Sequence, residues 1–419
     1  MHRRDFLRAG GAAILGPSLA GLLAACGKDD PEPVAADAAE VGPASTVRSS
    51  VTPRKVKLGF IALTDCASIV MAKELGYFAE RDLDVSVEKQ ASWPATRDNL
   101  LNGGLDGAHC LFSMPFSLAT GIGGSGTALK IAMVLNNNGQ AITLNKDFAS
   151  VGYGDLEKAK AALESKEPTL AMTFPGGTHD TWLRYWLRAT GVDASKVKII
   201  PIPPAQMVAN MKVGAMDGYC VGEPWGAVAV QQGIGFTHLT TQDLWEHHPE
   251  KALVVSERFA AEQPEVLEDL MGAILKASRW LDDLDNRPKA AEVVGAANYV
   301  SAPAADIAGR LAGRYDLGAS LPARSYKGNQ MVFFRDGKVN SPRRSYAIWF
   351  MSQYQRFGLL KETPPYQQLA DEIILRDVYE KVAAAEGIDV PDDDMAPFEV
   401  KLDAVTFDPA KPEEEVKRT

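Results

Sequence analysis

The turn at residues 175–180, Pro-Gly-Gly-Thr-His-Asp, has residue types suited to binding an anion. It follows a predicted strand over 169–174 and precedes a predicted helix over 181–189. Two glycines let backbone N–H groups approach a ligand, and the helix start adds the positive end of its dipole. Thr178 is a good N-cap residue, and His179 would lie in the first turn. The pattern predicts an anion site, with an ordinary glycine-rich turn and a capping threonine as the alternative.

Two further side chains could contribute to such a site. Trp93, between Ser92 and Pro94, precedes another predicted helix, where an indole would stand at the mouth of a cleft. Its alternative is a place in the hydrophobic core. Lys251 begins an apolar segment, and a partly desolvated cation there could neutralise a small anion. Its alternative is a solvated surface lysine.

Other motifs do not predict chemistry. His247 and His248 lie near Asp243, Glu246 and Glu250, but adjacent histidines point in different directions, so no metal site is expected. Residues 121–126 fit the G-x-G-x-x-G pattern, yet a helix precedes them and a strand follows, the reverse of a dinucleotide-binding turn. We find no Ser/His/Asp elbow or metalloprotease helix.

The cysteines argue against zinc and against a disulfide framework. There are four, at positions 26, 66, 110 and 220, without paired metal-ligand spacing. We interpret Cys66, Cys110 and Cys220 as small buried hydrophobic residues.

Short apolar runs alternate with amphipathic helices from Pro53 onward. The alternation predicts an α/β fold with mostly parallel sheets. We expect strands over 55–63 and 84–89, and helices over 69–81 (ending near Gly76) and 94–101.

The sequence matches itself at a spacing of 111 residues. Asn99-Leu100, Gly103 and Leu105-Asp106-Gly107 correspond to Asn210-Met211, Gly214 and Met216-Asp217-Gly218, and Trp93 aligns with Pro204. Each copy reads as strand, loop, helix, glycine stop and short strand. Two copies are too few for a repeat array, so we predict two similar lobes with a cleft between them.

The lobes should be connected by two segments, 129–145 and 251–256. We predict a first lobe over 54–145, a second over 146–255, and completion of the first lobe with a helical C-terminal extension over 256–419. Pro264 and Pro288 should each open a helix. The acidic, proline-containing tail from Pro391 is expected on the surface.

The N-terminus is typical of an exported protein. Arginines 3 and 4 precede a short apolar run to Ala25, like a twin-arginine signal, and the run is too short for a permanent membrane span. Leu23-Ala24-Ala25-Cys26 is similar to a bacterial lipobox. We therefore predict a signal peptide over 1–25, lipidation of Cys26, and a flexible tether over 26–53.

Composition excludes a nucleic-acid partner. The 419 residues include 44 Lys and Arg against 54 Asp and Glu, a net charge of −10, without a concentrated basic stretch. With 46% hydrophobic and 23% charged residues, the chain is typical of a globular protein.

Ordered motifs from about Lys55 to the C-terminus resemble the nitrate- and bicarbonate-binding lipoproteins of bacterial ABC importers, in the nitrate/sulfonate/taurine periplasmic binding family. They are Leu-Thr-Asp at 63–65, Lys-Gln-Ala-Ser-Trp at 89–93, Thr-Arg-Asp-Asn at 96–99, Asp-Gly-Ala-His at 106–109, Asn-Gly-Gln at 138–140, the segments 173–180 and 203–214, Val-Gly-Glu-Pro-Trp at 221–225 and His-Pro-Glu-Lys at 248–251. The resemblance implies a type II periplasmic-binding-protein fold with two mixed-sheet lobes.

The resemblance also implies a ligand and its binding residues. Carried over by position, these are Trp93, Gln140, His179 and Lys251, with Gly139 and Pro204 nearby. Nitrate has three acceptor oxygens and one negative charge, which these donors can match. Bicarbonate-binding relatives carry an acidic residue at the Lys251 position that helps to hold calcium. A lysine replaces that cation, so the resemblance favours nitrate, with nitrite, and implies neither metal nor cofactor.

Three other functions remain as alternatives. The first is binding of bicarbonate or a sulfonate in the same transporter family, where an ABC permease and its ATPase would be the partners. The second is a cytosolic nitrate sensor, which the export signal and Cys26 argue against. The third is an enzyme that makes a thiamine pyrimidine precursor with pyridoxal phosphate, which would need a Schiff-base lysine.

Overall fold

The computed structural model describes residues 52–418. The predicted signal peptide, Cys26 and nearly all of the tether lie outside these residues. The strands are β1 (Arg54–Phe60), β2 (Leu83–Lys89), β3 (Gly107–Leu111), β4 (Leu129–Asn137), β5 (Gln140–Asn145), β6 (Thr169–Met172), β7 (Lys198–Pro201), β8 (Gly218–Gly222), β9 (Gly235–Thr240), β10 (Pro249–Ser256), β11 (Arg314–Tyr315), β12 (Arg324–Ser325), β13 (Phe398–Val400) and β14 (Val405–Phe407).

The α-helices alternate with these strands in the first half of the chain and dominate the second half. They are α1 (Ala67–Glu74), α2 (Trp93–Leu101), α3 (Met114–Ala119), α4 (Leu156–Lys166), α5 (Thr178–Thr190), α6 (Met207–Lys212), α7 (Trp225–Gln231), α8 (Thr241–Leu244), α9 (Glu257–Glu262), α10 (Pro264–Asp282), α11 (Arg287–Gly295), α12 (Ala304–Leu311), α13 (Arg344–Arg356), α14 (Tyr366–Ile373), α15 (Arg376–Ala385) and α16 (Pro412–Lys417).

The first lobe is built on a five-stranded sheet in the order β2-β1-β3-β10-β4. β1, β2 and β3 are parallel, and β10 is antiparallel to both of its neighbours. β1 shows why the sequence forms a strand here. Val56 and Leu58 are buried, whereas Lys55 and Lys57, which alternate with them along the strand, are exposed. The expected strands and helices of this lobe are present, with ends shifted by a few residues.

The second lobe repeats this arrangement. Its sheet has the order β7-β6-β8-β5-β9, with β6, β7 and β8 parallel and β5 antiparallel to its neighbours. The matched aspartates explain the internal repeat. Asp106 Oδ2 accepts a bond from Lys57 N, and Asp217 Oδ2 accepts one from Thr169 N, each over 2.9 Å. Each aspartate thus fastens the loop before a central strand to the adjacent strand. The predicted two-lobed α/β fold with mixed sheets is confirmed.

The lobes exchange one strand each. β4 lies in the first sheet and β5, only two residues later, in the second, so the chain crosses at residues 138–139. It returns between the end of β9 at Thr240 and the start of β10 at Pro249. The crossing at residues 138–139 lies within the connecting segment expected at 129–145. The second crossing, between Thr240 and Pro249, precedes the connecting segment expected at 251–256.

The C-terminal tail lies mostly on the surface, as expected, but a few of its residues dock it onto the rest of the protein. β13 and β14 form a hairpin, and the Phe398 ring stacks on Trp245 with centroids 4.3 Å apart. Glu415 on α16 is buried and accepts a bond from Gln353 Nε2 over 2.8 Å. The acidic composition of the tail did not indicate the few apolar and paired residues that dock it onto the body of the protein.

Cys66, Cys110 and Cys220 are buried free thiols, as the sequence predicted. Within residues 52–418, no helix has both the length and the apolar character needed to cross a membrane.

Candidate functional site

The site centres on β10, where an irregularity turns two adjacent side chains in the same direction. Against β4, Pro249 pairs with Asn137 and Lys251 with Asn136, so Glu250 has no partner of its own. Neighbouring residues of a regular strand point to opposite faces, but an extra residue re-aims the side chains around it. Glu250 and Lys251 are therefore both fully buried and in contact.

Lys251 carries the positive charge of the site and is held by two carboxylates. Its Nζ lies 2.6 Å from Glu250 Oε1 and 2.8 Å from Asp65 Oδ2. Asp65 belongs to a 3-10 turn that follows β1, and its Oδ1 lies 2.7 Å from His109 Nε2 on β3. The lysine predicted to hold an anion is thus part of a buried charge network within the protein.

Glu250 also receives donors from the second lobe. Thr178 Oγ1 donates to Glu250 Oε1 over 2.7 Å, and Trp182 Nε1 donates to Oε2 over 3.0 Å. His179 Nε2 lies 3.1 Å from Oε1 but is not oriented to make a hydrogen bond to it. Glu250 therefore joins the start of α5 to β10.

The start of α5 corrects one expectation. Thr178 does not cap the helix: Gly177 occupies the N-cap position, and the Thr178 hydroxyl points instead to Glu250. An N-cap hydroxyl accepts a bond from a backbone N–H, whereas here the hydroxyl donates to a buried carboxylate, which forms a stronger, charge-assisted bond. His179 lies in the first turn as predicted, and its Nδ1 is 2.7 Å from Thr173 Oγ1.

Trp93 lies at the start of α2, where Ser92 caps the helix by accepting a bond from Ala95 N. Its ring is fully buried, and the Lys251 ammonium group lies 5.9 Å from the ring centroid. The indole Nε1–H has no acceptor among residues 52–418. Trp93 therefore lines the interior of the site, not the mouth expected from the sequence, and presents an unpaired donor there.

Gln140 and Gly139 lie at the crossing between the lobes. Gln140 Nε2 donates to Asn138 O over 3.0 Å, and its Oε1 accepts from Thr241 Oγ1 over 3.1 Å. Asn136 Nδ2 also donates to Asn138 O, and Asn136 Oδ1 accepts from Lys251 N. Gln140 is therefore connected to Lys251 through this asparagine cluster, and one of its N–H groups is already used.

Pro204 is buried at the start of a 3-10 turn before α6, the position in the second lobe that matches Trp93 in the first. The structure thus brings Trp93, His179 and Lys251 to one buried network and connects Gln140 to its edge, while Pro204 lies in the turn before the corresponding helix of the other lobe.

The glycines of the 175–180 turn allow the lobes to approach closely. A Cβ atom on Gly176 would lie 2.7 Å from Ser117 Oγ, and one on Gly177 would lie 2.7 Å from Leu111 Cδ1. The Gly176 and Gly177 N–H groups donate to Asp180 Oδ2 and Phe174 O. These two amides, expected to face a ligand, are therefore used inside the protein.

Hydrogen bonds join the lobes at two places beside the site. Trp225 Nε1 donates to Ala62 O over 2.9 Å, and Thr64 N donates to Glu223 O over 2.7 Å. Ser113 Oγ donates to Gly176 O over 3.0 Å. Since the network between the lobes is fully buried, this is a closed arrangement, and a ligand would enter only after the lobes separate.

Opposite charges keep the central groups ionised. Burial alone would raise the pKa of Glu250, but the Lys251 charge and the contact with His179 lower it well below the ordinary value. Burial would likewise raise the pKa of Asp65, but the Lys251 charge and the contact with His109 lower it. Burial opposes the charge of Lys251, yet Asp65 and Glu250 raise its pKa.

Burial lowers the pKa of the histidines around this network, which favours their neutral forms. This holds for His109 and His179, and the pKa of His248 falls to about 4. With neutral histidines, the network contains one cation and two carboxylates.

Sequence reasoning missed Glu250, Asp65 and His109 as members of the site. Glu250 was considered only as part of a metal cluster, which was rejected because the adjacent His247 and His248 point in different directions. Asp65 and His109 each close one of the motifs on which the resemblance rests, and that position was the available signal. Across residues 52–418, no group of three His, Cys, Asp or Glu side chains is arranged to hold a metal ion.

Comparison with known proteins places this geometry in a family. Residues 49–295 match the NMT1-like family. The nitrate/nitrite binding protein NrtA of Nostoc sp. is 37% identical over 434 aligned positions, which cover 99% of this chain and 97% of the relative. The bicarbonate-binding protein CmpA of Synechococcus elongatus is 26% identical and is covered to 96%.

A solved structure supports the same grouping. The periplasmic nitrate-binding protein NrtA from Synechocystis superimposes with a TM-score of 0.81 at 36% identity, covering 87% of this chain and 98% of that one. The resemblance inferred from the motifs is confirmed: the chain belongs to the NMT1-like family, together with the nitrate/nitrite binding proteins.

Proposed function

We propose that the protein is the extracytoplasmic solute-binding component of an ABC importer, which captures nitrate, and also nitrite, between its lobes and delivers it to a membrane permease and its ATPase. The similarity to nitrate/nitrite binding proteins over nearly the whole chain supports this assignment. These relatives are binding proteins, so the enzyme alternative is not retained.

The observation that carries the proposal is the unpaired Trp93 indole N–H beside the buried Lys251 ammonium group. A buried donor without an acceptor is costly unless a ligand supplies one. Nitrate would bring three acceptor oxygens and a single negative charge to Trp93 Nε1, His179 Nε2 and Lys251 Nζ. Gln140, Gly139 and Pro204 complete the proposed binding site.

Bicarbonate is the second candidate. CmpA is less similar to this chain than NrtA is, at 26% against 37% identity. Lys251 supplies a fixed positive charge within the protein and would repel a calcium ion. Nitrate therefore fits the residues better, and neither metal nor cofactor is required. A sulfonate would bring an organic substituent as well, which a fully buried set of polar side chains does not favour.

The location follows from the N-terminal sequence and the periplasmic relative. We assign the protein to the outer side of the cell membrane, held there by lipid on Cys26 through the tether to residue 53. A Cys26→Ser variant should move from the membrane fraction to the soluble fraction after export. Retention of this variant in the membrane fraction would contradict the anchor.

Calorimetric titration tests the ligand. The chain from Gly27 onward should bind nitrate and nitrite without metal, and Lys251→Glu should abolish nitrate binding. Bicarbonate, with and without calcium, is the comparison ligand. Calcium-dependent binding of bicarbonate by the unmodified chain, or no binding of nitrate, would overturn the assignment.

A further inference from the structure

The charges buried around Lys251 do not sum to a positive value. Lys251 contributes +1, Asp65 and Glu250 contribute −1 each, and 1 − 2 gives −1 while the histidines are neutral. A bound monoanion would bring this buried set to −2. Buried like charges repel strongly because little water screens them. A binding site for an anion at this place therefore needs an additional positive charge.

Three histidines face this network, and their partners differ. His109 Nε2 pairs with Asp65, but its buried Nδ1 has no partner, so a second N–H on this ring would have no acceptor. His248 Nε2 contacts Thr241 Oγ1 over 2.8 Å, and Nδ1 contacts Pro249 O over 3.2 Å. His109 therefore lacks an acceptor for an added proton, and both nitrogens of His248 are in use, so His248 has no nitrogen free to face a ligand.

His179 has both features: a hydroxyl partner at Nδ1, and an Nε2 that makes no hydrogen bond within residues 52–418. Thr173 Oγ1, 2.7 Å from Nδ1, donates when the nitrogen is bare and accepts when it carries a proton. Nε2 then holds the ring's hydrogen and faces Glu250 Oε1 at 3.1 Å. The charged groups that face His179 are Glu250 and Lys251 from β10 and Asp65 from the turn after β1.

We propose that anion binding at this site is coupled to uptake of one proton, which His179 receives at Nδ1 while the Thr173 hydroxyl changes from donor to acceptor. The imidazolium offers Nε2–H to the anion and restores the charge balance around Lys251. The proton on His179 thereby allows a buried network with two carboxylates to bind a monoanion. This inference rests on the proposed nitrate binding.

Proton uptake has a defined effect on affinity. Protonation of His179 is favoured in the bound state, so nitrate affinity should fall as pH rises through neutrality, by up to about tenfold for each pH unit. The slope should level off at low pH, where His179 is already protonated before binding.

Calorimetry in buffers of different ionisation enthalpy measures the protons taken up. At pH 7, the chain from Gly27 onward should bind nitrate with uptake approaching one proton. His179→Gln keeps a donor but cannot be protonated, and should bind more weakly, without uptake and with a flat pH profile. His247→Asn is the matched control, since His247 lies outside the site with a positive φ of 60° that asparagine tolerates. It should behave like the unmodified chain.

The outcomes separate this inference from the proposed function. Nitrate binding without proton uptake would overturn the inference and leave nitrate binding intact, whereas absence of nitrate binding would overturn the proposed function itself. Uptake retained in His179→Gln would assign the proton to another group and also overturn the inference. Glu250→Gln is a second variant that should reduce the uptake by removing one negative charge.

Discussion

The Lys251 ammonium group lies 2.6 Å from the carboxylate of Glu250, its neighbour in sequence on the same strand. In a regular strand these side chains would point to opposite faces of the sheet. The register shift between β10 and β4 brings them together and places both between the lobes. The positive charge that Lys251 offers to a ligand is therefore partly offset by Glu250, which the strand irregularity brings next to it.

Loss of the Trp93 indole N–H should weaken nitrate binding. Trp93→Phe keeps an aromatic ring but removes the unpaired donor, and a hydrogen bond to a charged partner is worth about 1.5–3 kcal/mol. We expect an affinity loss of about 10- to 100-fold by calorimetry.

Trp182→Phe is the matched comparison, since it loses the same volume from a buried position but removes a donor to Glu250 instead. It should lower the free energy of unfolding further than Trp93→Phe does, by about 1–3 kcal/mol. Equal nitrate affinity in Trp93→Phe and the unmodified chain would contradict a ligand contact at Nε1.

Replacement of Lys251 by methionine should destabilise the fold. The change leaves the buried carboxylates of Asp65 and Glu250 without their cation, and breaking a buried ion pair costs about 3–5 kcal/mol. Urea unfolding at neutral pH measures the loss. The exposed Lys212 provides the control, and Lys212→Met should change stability by less than about 0.5 kcal/mol. Equal stabilities of the two variants would contradict the charge network.

Stability should fall as pH drops, partly through His238 in the second lobe. Burial lowers the pKa of His238 from 6.5 to about 4. Trp186 Nε1 donates to its Nε2, and its Nδ1 donates to Gly152 O, an arrangement that requires the neutral ring. The unfolded chain therefore binds more protons between these pH values, and this stabilisation is complete above pH 6.5 and lost towards pH 4.

Urea unfolding of the unmodified chain and of His238→Gln at several pH values measures this contribution. The variant should show a smaller decrease in unfolding free energy between pH 6.5 and 4, by up to about 1.4 kcal/mol per pH unit. Identical pH profiles would contradict the neutral form of His238.

Closure of the lobes should depend on the Trp225 side chain. Its Nε1 donates to Ala62 O across the cleft, a bond that exists only in the closed arrangement. Trp225→Phe should weaken nitrate binding several-fold, mainly through faster release. Small-angle scattering should show a smaller radius of gyration with nitrate than without it. An unchanged radius in the unmodified chain would contradict ligand-driven closure.

Local patterns in the sequence predicted the two lobes well. The repeat around Asp106 and Asp217 reflects the same backbone contacts in both sheets. The crossing between β4 and β5 lies at residues 138–139, within the segment 129–145 that was expected to connect the lobes. The docking of the C-terminal tail was not predicted because it depends on a distant partner, Trp245 for Phe398.

Only part of the candidate site was predicted, because some of its contacts join residues that are far apart in the sequence. Trp93, His179 and Lys251 stand at element ends, where sequence patterns are informative. Glu250 could not be found in this way, since its direction depends on the register between β10 and β4. The pairing of Lys251 with Asp65 joins residues 186 positions apart, which no local pattern contains.

The most direct test of nitrate binding between the lobes is a crystal structure of the chain from Gly27 onward, grown with nitrate as the only added anion. We expect a planar ligand within hydrogen-bonding distance of Trp93 Nε1, His179 Nε2 and Lys251 Nζ, with the lobes closed over it. Nitrate bound elsewhere, or a site in which Lys251 contacts only Asp65 and Glu250 at saturating nitrate, would contradict it.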